Sequence, residues 1–138
     1  MIFLALLQKK EKKRVEYYSE AFKMTEYLSM PAGSYSHGTK QKLSIISALI
    51  HKPRYYLMDE PLVGLDLESI ERLKECLRQD VKDGSTVFYS THVLDVAVNF
   101  CDSIAILSDG RLQYSGKNKS DLKELYFSVV SSSPEKHV

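Results

Sequence analysis

Two adjacent carboxylates, Asp59 and Glu60, close the run Tyr55-Tyr56-Leu57-Met58 and stand just before Pro61. Such an apolar run reads as a buried strand. Carboxylates at its end need a positive partner, because desolvated charge is costly unless compensated. One chemistry that uses the pair is attack of water on a phosphoryl group. The first carboxylate then joins the shell of a Mg²⁺ ion on the phosphates, and the second orients or deprotonates the water. By themselves the two residues fit equally well a carboxylate pair turned to solvent at a strand end.

Further groups could serve a phosphate. Ser36, His37, Gly38 and Thr39 open a helix, whose first-turn N–H groups and dipole make an anion site. Ser36 adds a hydroxyl there and can also cap the helix. His92 ends the β-rich run "STVFYSTH", on the side of an α/β sheet where ligands sit. Asp66 stands at the start of another helix and can cap it. His37, His51 and His137 show no metal-ligand spacing, so no zinc site is read.

The elements that must position these groups follow from periodicity and breakers. Glu11–Tyr27 reads as a helix with Val15, Tyr18 and Phe22 on one face, and the basic cluster Lys9–Arg14 as its solvated side. A loop from Ser29 to Gly38 is built on Pro31, Gly33 and Gly38. The helix opened by Ser36 places Leu43, Ile46, Leu49 and Ile50 on one face and ends at Pro53. The helix after Asp66 turns Leu67, Ile70, Leu73, Leu77 and Val81 inward and ends at Gly84. A short helix (Val93–Phe100), a strand (Ser103–Leu107), a turn, a short strand (Leu112–Tyr114) and a helix (Ser120–Phe127) precede a frayed tail. Strands alternating with helices argue for a parallel α/β sheet.

Composition narrows the classes. The chain has 138 residues, 43% hydrophobic and 27% charged, which fits one ordinary globular domain. A net charge of +1 supplies no field that would gather nucleic acid or anionic lipid. Cys76 and Cys101 form no C-x-x-C and read as reduced core residues of a cytosolic protein. The apolar run Ile2–Leu7 is far short of the ~20 residues that span a bilayer, and its positive charges follow it, unlike those of a secretory signal.

The segments "YSHGTKQKLSIISALIHKPRYYLMDEPLVGLDLESI", "YSTH" and "CDSIAILSDGRLQYSG" resemble the ATP-binding subunit of ATP-binding cassette (ABC) transporters. The resemblance covers roughly Gly33 to Gly116. "YSHGTKQ" is similar to the family's signature loop, "YYLMDEP" to its Walker B strand, "GLD" (Gly64–Asp66) to its D-loop, and His92 to its switch histidine. Four motifs in the family's order carry far more weight than any one alone.

The resemblance implies ATP and Mg²⁺ as cofactors, with Asp59 on the metal, Glu60 as base and His92 as γ-phosphate sensor. Ser36, His37, Gly38 and Thr39 would contact nucleotide held by a second subunit in a head-to-tail dimer. Asp66 would also reach across that interface. The partners implied are the second ATP-binding subunit and a membrane permease at the cytoplasmic face, with the "SHGTKQK" form closer to exporters; no nucleic acid is expected. Alternatives are a soluble ABC protein outside transport, or an inactive remnant that only docks on a partner.

Two departures qualify the match. The family's signature begins Leu-Ser-Gly-Gly, and here reads Tyr35-Ser36-His37-Gly38, which removes a glycine's freedom and adds a titratable ring. A P-loop, G-x-x-x-x-G-K-[ST], does not occur. The closest stretch, "GSYSHGTK" (Gly33–Lys40), has Thr39 and Lys40 in the wrong order and no strand before it. The fold expected is therefore a truncated P-loop NTPase-like α/β sheet with flanking helices, lacking the P-loop strand. Residues 1–52 would be the remainder of a helical subdomain, 53–116 the C-terminal half of the ATPase core, and 117–138 a helix and tail. Such a chain is expected to be inactive alone. The missing strand would lie between the one leading to His92 and Ser103–Leu107, leaving both with an unpaired edge.

Overall fold

The computed structural model describes residues 9–118 and 121–131, in two compact units that divide between Ser90 and Thr91. The run Ile2–Leu7, Ser120 and the tail 132–138 lie outside the described residues.

In the first unit, α1 (Lys9–Ala21) buries Val15 and Tyr18, with Phe22, just past its end, buried as the spacing requires. It stops short of Tyr27 because Lys23 turns left-handed (φ +56°), which sends Phe22 and Met24 together into the core. A 3-10 turn, Thr25–Ser29, follows. Lys12 and Lys13 are exposed, but Arg14 is not simply solvated: it donates to the Ile50 carbonyl at 2.8 Å.

Helix α2 (His37–His51) packs on α1 and buries Ile45, Ile46, Leu49 and Ile50. Lys52, also left-handed, caps its end and turns the chain into β1 (Tyr55–Asp59). Helix α3 (Leu67–Lys82) returns along the unit, and β2 (Thr86–Ser90) pairs parallel with β1, from Tyr55↔Thr86 to Asp59↔Ser90. Gly84, at φ +98°, makes the turn between α3 and β2.

Burial corrects two expectations. β1 is not buried on both faces: Tyr56 is in the core, while Tyr55, Leu57 and, across the register, Phe88 are exposed, Leu57 at 81%. Parallel strands read as continuous apolar runs because sheets of this kind are covered on both faces, and here one face carries no cover among the described residues. Of the inward row expected on α3, Leu73 and Leu77 are buried, but Leu67 and Val81, at the two ends, are exposed. Two polar residues of the helix are buried as well, Ser69 and the charged Asp80, the latter only 3% exposed.

The second unit holds α4 (Leu94–Phe100), β3 (Ser103–Ser108), β4 (Arg111–Lys117) and α5 (Leu122–Ser131). β3 and β4 form an antiparallel hairpin with a bulge between Ile106 and Leu107. Its turn, Asp109-Gly110, has positive φ at both residues, as a tight hairpin turn requires. Asn118 closes α4 by donating to the carbonyls of Ala97, Val98 and Cys101. The unit's strands are thus not a continuation of a parallel ladder. Among the described residues β3 pairs only with β4, and β2 only with β1, so each keeps one unpaired edge.

Candidate functional site

The C-terminal edge of the parallel pair gathers the carboxylates. Register sets Asp59 beside Ser90, whose hydroxyl donates to Asp59 Oδ1. The same Ser90 oxygen accepts the Glu60 N–H at 3.2 Å. One hydroxyl therefore fixes both the Asp59 side chain and the Glu60 backbone. Glu60 is left-handed, at φ +44°, a conformation that costs a non-glycine residue energy and clusters at functional positions. Asp59 is exposed and Glu60 half-buried, so the pair is not sealed in apolar surroundings, as the sequence suggested. Among the described residues no three His, Cys, Asp or Glu converge as a metal cluster. Asp59 would offer one hard oxygen to a Mg²⁺ ion whose other ligands were phosphates and water.

The residues that resemble a signature loop form the start of α2. Ser36 is the N-cap: its Oγ accepts the Thr39 N–H at 3.2 Å and lies 2.8 Å from Thr39 Oγ1. The helix start is exposed at Ser36 and His37 and half-buried at Gly38 and Thr39. Tyr35, in place of the usual leucine, is buried, and its hydroxyl donates to the Tyr27 carbonyl. The substitution thus anchors the loop through a hydrogen bond as well as an apolar contact.

The turn Pro61–Asp66 runs from Glu60 to α3 and lies against this helix start. Gln41 donates to the Pro61 carbonyl at 3.3 Å. Gly64 is left-handed, at φ +79°, and a Cβ built on it would stand 3.1 Å from the His37 ring. Asp66 caps α3, accepting from the Ser69 N–H at 2.9 Å and the Ser69 hydroxyl at 3.0 Å, and its Oδ2 is 2.6 Å from Lys42 Nζ. The Lys42 hydrogen bond, and after it that of Ser69, hold the Asp66 carboxyl well below the usual carboxylate range.

The first unit thus brings together Ser36, His37, Gly38, Thr39 and Asp66 around one turn, with Asp59 and Glu60 at that turn's other end. His92 is exposed, two residues beyond β2 on the opening segment of the second unit, where Thr91 Oγ1 accepts the Val93 N–H at 3.1 Å. Sequence reasoning missed Ser90 and Lys42. Ser90 was legible in principle, as the residue before "TH" at the end of a parallel strand. Lys42 has no local signal, because its partner is 24 residues away. Also missed was the buried pair Tyr56 and Asp80, with the half-buried Lys52 beside it. Tyr56 donates to Asp80 at 2.5 Å, and Lys52 Nζ stands 3.6 Å from Asp80 and 2.5 Å from Asp83.

Comparison with known proteins places these features in context. Residues 3–96 match the family described as "AAA domain, putative AbiEii toxin, Type IV TA system". The ABC transporter ATP-binding protein NatA of Bacillus subtilis is 35% identical over 109 residues, covering 79% of this chain and 44% of that protein. The ABC-type transporter ATP-binding protein EcsA of the same organism is 36% identical over 114 residues, covering 83% and 46%. A solved structure of an ATP-binding subunit of an ABC transporter superposes with a TM-score of 0.84 at 30% identity, over 90% of this chain and 56% of its own. The chain spans about half the length of the curated relatives it matches.

Proposed function

This chain belongs to the AAA-domain family and is similar over most of its length to ABC transporter ATP-binding proteins, and on that premise we propose that it works in an ATP-hydrolysing subunit driving transport through a membrane permease. The observation that carries the reading is the Ser90 bracket at the strand edge, which holds a metal-suited carboxylate and a left-handed Glu60 side by side. Bound Mg-ATP would supply the electrophilic phosphorus and the cation that neutralises charge on the phosphates.

The chain's residues then divide the work. Asp59 would hold the metal through a carboxylate oxygen. Glu60 accepts a proton from the attacking water through its carboxylate, as a general base. His92 donates a ring N–H to a terminal phosphate oxygen. Ser36 and the N–H groups of His37, Gly38 and Thr39 serve nucleotide held by a second subunit, where the helix dipole favours the negative charge. Asp66 holds the turn beside that interface. The assembly is a head-to-tail dimer on the cytoplasmic face of the membrane, engaged with a permease, with export as the direction favoured by the signature form.

No G-x-x-x-x-G-K-[ST] occurs in the 138 residues, so the phosphate cradle must come from other polypeptide. The test is phosphate release from Mg-ATP by this chain alone and joined to a P-loop-bearing half-cassette. Release by the joined protein only, and its loss in Glu60→Gln, is the expected result. Equal release by the chain alone would make Gly33–Lys40 a genuine cradle and refute the division of labour. Release by neither would favour a docking role without catalysis.

A further inference from the structure

We propose that Lys42 and Gly38 are positioning residues that clamp the first turns of α2 onto the turn Pro61–Asp66, so that the signature end of the helix and the backbone leaving Glu60 move as one body. Three separate contacts converge on this seam. Lys42, one turn into α2 and with only 16% of its side chain exposed, reaches Asp66 at 2.6 Å. Gln41 donates to the Pro61 carbonyl at the other end of the turn. Between them Gly38 lies so close to the turn that a Cβ on it would stand 2.7 Å from the Gly64 carbonyl oxygen.

That last distance reassigns the glycine. Below 3 Å from a backbone oxygen no side chain fits without displacing the backbone, so packing inside this chain already requires glycine at position 38. Gly33, five residues earlier, has nothing within 4 Å of its own Cβ position and carries no such requirement. Asp66 is likewise engaged within its own chain, by Lys42 and by Ser69, and Lys23, paired with Glu68 at 2.6 Å, also faces it. The consequence for catalysis rests on the ATPase reading: a ligand that fixes Ser36 would also fix the path of the chain out of Glu60. The clamp itself does not depend on that reading.

Amide exchange and carboxyl titration on the full chain, without nucleotide, test it. The amides of Lys40, bonded to the Ser36 carbonyl, and of Val63 and Leu65, bonded to the carbonyls of Glu60 and Leu62, report the two sides. In Lys42→Met all three should exchange about fivefold faster, the scale of a partly exposed charge-assisted bond, with Leu77 in α3 unchanged. Lys42→Arg should restore protection. Gly38→Ala should loosen the same amides and Gly33→Ala should leave them alone. Faster exchange at Lys40 without change at Val63 and Leu65, or a silent Gly38→Ala, would overturn the clamp.

Should Lys42→Met lose protection at Leu77 as well, Lys42→Gln decides by titration. An Asp66 carboxyl that titrates lower in the wild type than in Lys42→Gln supports the clamp, and equal values, which the Ser69 cap alone would give, refute it. None of these readouts involves ATP, so failure of the hydrolysis test leaves this result standing, and the reverse.

Discussion

Replacing Tyr56 by Phe removes one oxygen from the core and keeps the ring. Tyr56 is 2% exposed, and its hydroxyl is the 2.5 Å donor to Asp80 Oδ2. The loss is therefore a hydrogen bond to a buried charged acceptor, with no cavity term beyond a single atom. Such bonds contribute about 1.5–3 kcal/mol. Lys52 remains near the other Asp80 oxygen, but at 3.6 Å and one-third exposed, so its compensation is weak and screened. We take about 2 kcal/mol as the expected loss. In urea, where small proteins change by about 1–3 kcal/mol per molar, the unfolding midpoint should fall by about 1 M, followed by circular dichroism at low micromolar protein. Asp80→Leu in the Tyr56→Phe background should cost less than the sum of the single changes, because removing both partners leaves no unsatisfied charge. A single-mutant loss below about 0.5 kcal/mol, the range of ordinary surface substitutions, or strict additivity in the double mutant, would refute the buried pairing.

Glu60→Gln in an ATP-hydrolysing assembly containing this chain should cut turnover by about 10²–10⁴-fold while Mg-ATP binding persists; comparable turnover would show that the water is activated elsewhere. Burial first, and Asp80's charge second, push the Tyr18 hydroxyl up to about 12. A raised tyrosine contributes stability that is intact below its ordinary value near 10 and is lost as pH rises toward the folded value. The wild type should therefore lose roughly 2–3 kcal/mol more than Tyr18→Phe between pH 9 and pH 12, read as urea midpoints, and parallel pH profiles would count against a buried Tyr18. Leu57→Lys with Phe88→Thr should reduce light scattering of concentrated protein several-fold, since both side chains lie on the exposed apolar face of β1 and β2. Unchanged scattering would mean that this face does not drive association.

The helices and strands were legible because each is signalled locally. Ser36 and Asp66 are caps in the structure as their residue types require. Val15 and Tyr18 of α1, and Phe22 just beyond it, are buried at the spacing expected. The four motifs and the α/β class likewise depend on order and short spacing along the chain, and the comparisons agree with the family and the class. Tertiary structure alone decided which apolar residues are covered, for periodicity reports a face and not what lies over it. Leu57 and Tyr56 are indistinguishable in the sequence, yet Leu57 is 81% exposed and Tyr56 2%. It also decided the partners of Lys42, Asp80 and Ser90, which lie 24, 24 and 31 residues from Asp66, Tyr56 and Asp59. Local propensity has no reach over such separations. A salt bridge or a bracketing hydroxyl exists only once the helices and strands have packed and brought distant side chains within 3 Å.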